Sequence, residues 1–158
     1  MARRLLAIAA ATGRVGYVFF IGKHLTDWRV SEKAAKSSEK ASAEVQKWIN
    51  QLQPDVVVTE KVGRRAKKDG KTLEINAAMA RTAEHNYLLD VAVERDPVLP
   101  NKYDEAKAQA KRFPEIAAWL PKKRRFFDNE PRNIVLFEAL TLAESILNGP
   151  TPALARTT

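Results

Sequence analysis

Between Pro54 and Glu60 the chain reads Asp55-Val56-Val57-Val58-Thr59, a short continuous apolar run that predicts a strand buried on both faces. Leu5 to Ala9 has the same character. Gly16 to Ile21 predicts another strand, and Gly22-Lys23 a tight turn into a third, His24 to Val30. Together Leu5 to Val30 predicts an antiparallel meander of three strands. The period then changes. A helix is predicted over Ser31 to Gln53, and its later half sets Ala41, Val45, Trp48, Ile49 and Leu52 on one face able to cover a sheet. Pro54 ends it. After the buried strand come a basic loop from Lys61 to Lys71, a helix over about Thr72 to Asn86 and a fifth strand over Tyr87 to Val93. Asn101 is a cap for a helix carrying Tyr103, Ala106, Ala110 and Phe113 on one face, which Pro114 interrupts. The last helix starts near Pro131 and runs to about Leu147. The expectation is an α/β fold with a mixed five-stranded sheet and helices on both faces, one domain over residues 1–148 and a frayed tail over 149–158.

Composition narrows the class. With 158 residues, 45% of them hydrophobic, the chain can bury one good core. It has no cysteine, which excludes disulfides and thiolate metal sites and accords with a reducing cytoplasm. Met1-Ala2-Arg3-Arg4 is basic, but the apolar stretch behind it breaks at Thr12-Gly13-Arg14, so no signal core and no membrane association are expected. The formal charge of +8 favours a polyanionic partner, because cations that displace condensed counterions gain affinity for phosphate backbones.

That charge is concentrated in two runs. Lys61, Arg64, Arg65, Lys67, Lys68 and Lys71 follow Glu60 directly, with Gly63 and Gly70 among them. Lys122, Lys123, Arg124 and Arg125 precede Phe126 and Phe127. Cations beside aromatics hold phosphates and stack on unpaired bases; solvated charge runs are the blander reading. No helix-turn-helix, zinc-finger or ribonucleoprotein motif is present, so recognition by shape and phosphate is expected.

Two acids stand out. Glu60 ends the buried strand, at the edge where open α/β sheets gather ligands, although acids also begin ordinary polar loops. Glu138 is set in Ile134-Val135-Leu136-Phe137-Glu138-Ala139-Leu140, yet with Thr141, Ser145 and Asn148 it also forms a normal solvent-facing stripe. His24 and His85 stand isolated, outside any metal-ligand spacing.

The stretch from Leu6 to Tyr17, with Thr12-Gly13-Arg14 in its turn and Gly16-Tyr17 opening the second strand, resembles the first hairpin of RuvC-like proteins of the ribonuclease-H-like superfamily. Pro54 to Glu60 resembles their fourth strand, which ends in a catalytic glutamate. Asn101-Lys102-Tyr103, Arg112 to Ile116, Leu120 to Arg125, Asn129 to Arg132 and Phe137 to Leu140 resemble a bacterial branch of that group. The resemblance implies a ribonuclease-H-like fold and a phosphodiesterase site in which carboxylates hold two magnesium or manganese ions. On it, Glu60 matches the strand glutamate, and Glu138, with Asp128 and Glu130 as further candidates, matches the acids of the last helix or its approach. Ala9 stands where an aspartate ends the first strand, and Asp27 or Asp90 replaces it only if strand register delivers it to the same edge.

The expectation is therefore a protein that binds structured nucleic acid, DNA ahead of RNA, through a degenerate nuclease site. The alternatives are an active magnesium-dependent endonuclease of the Holliday-junction-resolvase kind and a protein-interaction module. Relatives pair through the helix after the fourth strand, which implies a homodimer through Leu73, Ile75, Ala77, Met79 and Ala83; the same positions could equally face the monomer's own core.

Overall fold

The structure, a computed structural model, describes residues 2–61, 69–86, 88–93, 102–120 and 133–148. Three strands open the chain, β1 (Arg4–Ala11), β2 (Arg14–Ile21) and β3 (His24–Ser31), joined by two-residue turns at Thr12-Gly13 and Gly22-Lys23. Gly13 (φ 79°) and Gly22 (φ 62°) take the left-handed conformation that such turns require. Beyond them lie α1 (Ser38–Leu52), β4 (Val56–Glu60), α2 (Gly70–His85), β5 (Leu89–Val93), α3 (Lys102–Arg112), a 3₁₀ helix (Pro114–Trp119) and α4 (Ile134–Leu147). The strands form one sheet in the order β3-β2-β1-β4-β5. β1 and β2 pair antiparallel, as do β2 and β3, whereas β4 runs parallel to both β1 and β5.

Alternation along the strands divides two cores. Leu5, Ala7 and Ala9 of β1 join Val18, Phe20, Val56 and Val58 beneath α4. Leu6, Ile8 and Ala10 join Tyr17, Phe19 and Val57 beneath α1 and α2. Because both faces are covered, β1 reads as an unbroken apolar run. The expected stripe of α1 is buried as far as Ile49, with Ala41, Val45 and Trp48 fully so and Leu52 half-buried at its end, and the Trp48 ring lies 4.8 Å from that of Tyr17.

The segment 31–53 is not one helix. Ser31 closes β3 and its hydroxyl accepts from the Ala34 amide (3.1 Å), opening a 3₁₀ turn at Lys33–Ala35. Ser37 then caps α1 by accepting from Lys40 N–H (3.1 Å). Serine side chains satisfy amides that a through-running helix would have to break, and they reset the helix start. At the far end Gln53 takes a left-handed conformation before Pro54, a usual helix exit. The helix α2 likewise begins two residues early, because the Asp69 carboxylate caps it through Thr72 N–H (2.8 Å). The fifth strand starts two residues late, at Leu89: the Leu88 amide still donates back to the Ala83 carbonyl (3.3 Å).

Packing of α2 on α1 takes Ile75, Met79 and Ala83 into the monomer's core. Of the five positions considered for pairing, only Leu73, half-buried, and Ala77, exposed, face outward. The helix α4 is buried almost all round, as its mostly apolar sequence demands. Its polar stripe is not solvent-facing. Glu138 and Thr141 are buried and Ser145 half-buried, because α3 lies over them. Gln109 Nε2 donates to Thr141 Oγ1 (2.8 Å) and to Glu144 (3.1 Å), and Arg112 grips Glu144 with two nitrogens at 2.8 and 2.9 Å. Asn101, Pro131 and the tail from Gly149 lie outside the described residues. Among the described residues no helix is long and apolar enough to cross a membrane.

Candidate functional site

The C-terminal edge of β1 and β4 is set by a single rung. Across the ladder Val30 pairs with Gly16, Gly16 with Ala9, and Glu60 with Val93. Leu5, Leu6 and Ala7 of β1 stand against Val56, Val57 and Val58 of β4, so the same offset carries Ala9 to Glu60. Neighbours on a rung share a face, and this one turns toward α4. The row thus reads Val30, Gly16, Ala9, Glu60, Val93, with one carboxylate among four residues that offer no ligand.

The first turn of α4 is seated on that rung. A Cβ built on Gly16 would stand 2.8 Å from Val135 Cγ1 and 3.2 Å from the Val135 carbonyl carbon, so only glycine lets the helix backbone approach this closely. Ala9, beside Gly16, is fully buried. Glu138 follows Val135 by three residues, on the same side of the helix. It is 8% exposed and its Oε2 is shielded from solvent, as is Oε1 of the half-buried Glu60. Glu60 and Glu138 therefore both belong to the α4 side of the sheet.

Neither substitute acid reaches this side. Asp27 pairs with Phe19, three rungs from Ala9, and accepts the Tyr17 hydroxyl (2.6 Å) on the face that α1 covers. Asp90 pairs with Val57, also of that face, and accepts the Thr59 hydroxyl (3.3 Å). Burial pushes the Asp90 carboxyl up to about 6, against the lowering effect of that hydrogen bond. Two magnesium or manganese ions need three or four converging oxygen ligands, and among the described residues no three histidines or acids come together. The residues described do not fit a paired-metal centre. Asp128 and Glu130 lie outside them. His24 and His85 are exposed and distant in sequence from both glutamates.

Three residues that the sequence pattern did not single out frame the edge. Buried Asn76 of α2 donates from Nδ2 to the Glu60 carbonyl (2.9 Å), fixing the end of β4 against the helix. Thr12, in the first hairpin turn, donates to the Asp69 carboxylate (2.8 Å), which also receives the Thr72 amide. These hydrogen bonds, the Thr72 amide first, hold Asp69 below the usual carboxylate range. The Lys61 amide donates to the Val93 carbonyl (2.7 Å). The basic segment after Glu60 therefore leaves the sheet at Lys61, pinned to β5, and rejoins it at Asp69, pinned to the β1–β2 turn. The pattern Asp69-Gly70-Lys71-Thr72, a cap residue three before a hydrogen-bonded threonine, was the signal available for one of these. Lys61 and Lys71 are exposed. Arg64, Arg65, Lys67 and Lys68, like Lys122, Lys123, Arg124 and Arg125, lie outside the described residues.

No protein-family model and no curated protein sequence matches the chain. Solved structures do. RuvC of Thermus thermophilus superposes with a TM-score of 0.59 over 92% of this chain and 96% of its own, at 16% identity. The fowlpox virus Holliday junction resolvase gives 0.55 over 93% and 99%, at 13% identity. The yeast mitochondrial Holliday junction resolvase gives 0.54 over 99% and 85%, at 11% identity. The chain has the ribonuclease-H-like fold of these resolvases.

Proposed function

We propose that this chain is a RuvC-like protein of a bacterial branch that binds structured DNA, in preference to RNA, by shape and phosphate, through a nuclease site that has lost its first-strand carboxylate. The observation that carries the reading is the rung at the sheet edge, where Ala9, fully buried beside a glycine against which α4 is seated, stands next to Glu60. Thermus thermophilus RuvC and the fowlpox virus resolvase have both been solved with Holliday junction DNA, and likeness to them supports the choice of ligand. The net charge of +8 supports it independently. We read residues 1–148 as one cytoplasmic domain, and a homodimer pairing through α2 would have to use its outward side, with Leu73 and Ala77.

A four-way DNA junction and a linear duplex of equal length test the reading in gel-shift titrations. Tighter binding of the junction, with no cleavage in magnesium or manganese, is the expected result. Cleavage by the parent protein would favour the second reading, an active endonuclease, for which the shared side of Glu60 and Glu138 is the supporting observation. Ala9→Asp checks the placement of the missing acid. A carboxylate added to a buried site beside Glu60 resists ionisation, so the variant melts below the parent in chelator. Manganese then raises the melting temperature of the variant and leaves the parent unchanged; no recovery would show that position 9 and Glu60 do not face a common ion.

A further inference from the structure

Large apolar residues at an interval of three occupy the segment around the 3₁₀ helix Pro114–Trp119. Such a helix has three residues per turn, so Phe113, Ile116 and Trp119 line up along one face. Phe113 meets Phe20 edge to face with centroids 5.4 Å apart, and Ile116 is fully buried in the core beneath α4. The third member breaks the series. Trp119 stands at 39% exposure, the most open large apolar side chain among the described residues, and its ring meets that of Trp28 at 5.1 Å and 82°. An edge-to-face pair fixes the ring while leaving at least one of its faces uncovered by its partner.

Position gives the exposed ring a use. Trp28 lies on β3 opposite Val18, on the α4 side of the sheet and one rung removed on that side from Val30, Gly16, Ala9 and Glu60. With strands about 4.8 Å apart, β3 stands roughly 10 Å from β1 and 14 Å from β4. The Trp28–Trp119 pair thus flanks the Ala9–Glu60 edge at a distance of a few nucleotides. From Leu120 the sequence continues into Lys122-Lys123-Arg124-Arg125, four consecutive cations matched to phosphate. Aromatic faces together with cations are the means by which proteins hold unpaired nucleotides, and here a rigid aromatic pair is followed in the sequence by four cations.

We propose that Trp119, propped on Trp28, is a stacking platform for an unpaired base of the nucleic acid bound at the sheet edge. The proposal rests on the DNA-binding reading above and adds the nucleotide state that the chain selects, namely single-stranded residues at a branch, gap or opened end. Stacking on an aromatic side chain is sequence-tolerant, because every base has a π face, so no base preference accompanies it.

The test uses the full chain and three DNA probes: an oligothymidylate single strand, a four-way junction and a blunt duplex. Trp119→Ala and Trp119→Leu are compared with Trp119→Phe; leucine keeps an apolar cover on Trp28 without an aromatic face, which guards against a mere packing defect. The alanine and leucine variants should bind the single strand about 10-fold more weakly and the blunt duplex as the parent does, with phenylalanine retaining most of the affinity. Oligothymidylate should also quench tryptophan fluorescence in Trp28→Phe, where Trp119 and the buried Trp48 remain, and leave Trp119→Leu unquenched. Equal binding of every probe by parent and leucine variant, or an equal loss on duplex and single strand, would overturn the platform while leaving the DNA-binding reading intact. A parent that binds none of the probes at low salt would overturn that reading and the platform with it.

Discussion

Asp90 and Asp69 are perturbed in opposite directions, and each follows from what its carboxylate touches. Asp90 faces the side that α1 and α2 cover, where desolvation outweighs the single hydrogen bond from Thr59 and the nearby Glu84 adds repulsion. Its folded value of about 6 exceeds the unfolded value of about 3.9, so the folded chain holds the proton more tightly than the unfolded one. Stability from this group is present below pH 4, declines as pH rises toward 6, and stays lost above it. Asp90→Asn should accordingly match the parent near pH 4 and exceed it at pH 7 to 8 by on the order of 1 kcal/mol, a figure discounted for the partial exposure of the group. Urea denaturation at the two pH values measures this, and equal gains at both would show that Asp90 is not desolvated. Asp69 is exposed and its carboxyl is held low, so the stability it adds is present at neutral pH and fades in acid.

One glycine governs how α4 meets the sheet. Gly16 has no positive φ, so alanine there is conformationally allowed and any cost must come from contact. Its methyl group would fall 2.8 Å from Val135 Cγ1 and 3.2 to 3.3 Å from the α4 backbone, and Gly16→Ala should destabilise by about 1 to 3 kcal/mol. Val135→Ala should recover only part of this, because it removes the side-chain clash and leaves the backbone approach unchanged; a double-mutant cycle by chemical denaturation reads the coupling, and purely additive losses would mean that the helix sits elsewhere. The sequence carried the strands and the apolar stripe of α1 because burial on both faces and helical spacing leave direct marks in residue order. It carried Glu60 for the same reason, as the acid that ends an apolar run. It did not carry the break at Ser31–Ser37, where serine hydroxyls compete with a helix that the apolar pattern alone would continue. The sidedness of α4 was also hidden, since Glu138, Thr141 and Ser145 look solvent-facing until Gln109 and Arg112 arrive from a helix whose position no local pattern encodes.

At the scale of the whole molecule, the charge of +8 and the sheet edge converge on one measurable quantity, the salt dependence of binding. The segment that carries Arg64, Arg65, Lys67 and Lys68 departs from the end of β4 at Lys61 and returns at Asp69, with both ends hydrogen-bonded to neighbouring strands or turns. Each phosphate that those cations neutralise should steepen the fall of log affinity with log salt by about 0.9 on duplex DNA and 0.7 on single strands. Replacing Arg64, Arg65, Lys67 and Lys68 together by alanine should therefore flatten the duplex slope by up to about 3.6, while lowering affinity for unrelated sequences by similar factors, because phosphate contacts carry no base information. A protein-interaction module with an acidic partner would lose that partner in the same variant, yet its DNA affinity would be weak and its slope shallow from the outset. Titrations at several salt concentrations separate the two: a steep parental slope that the variant loses places phosphate at this edge, and a slope unchanged by the four substitutions would remove the loop from the binding surface.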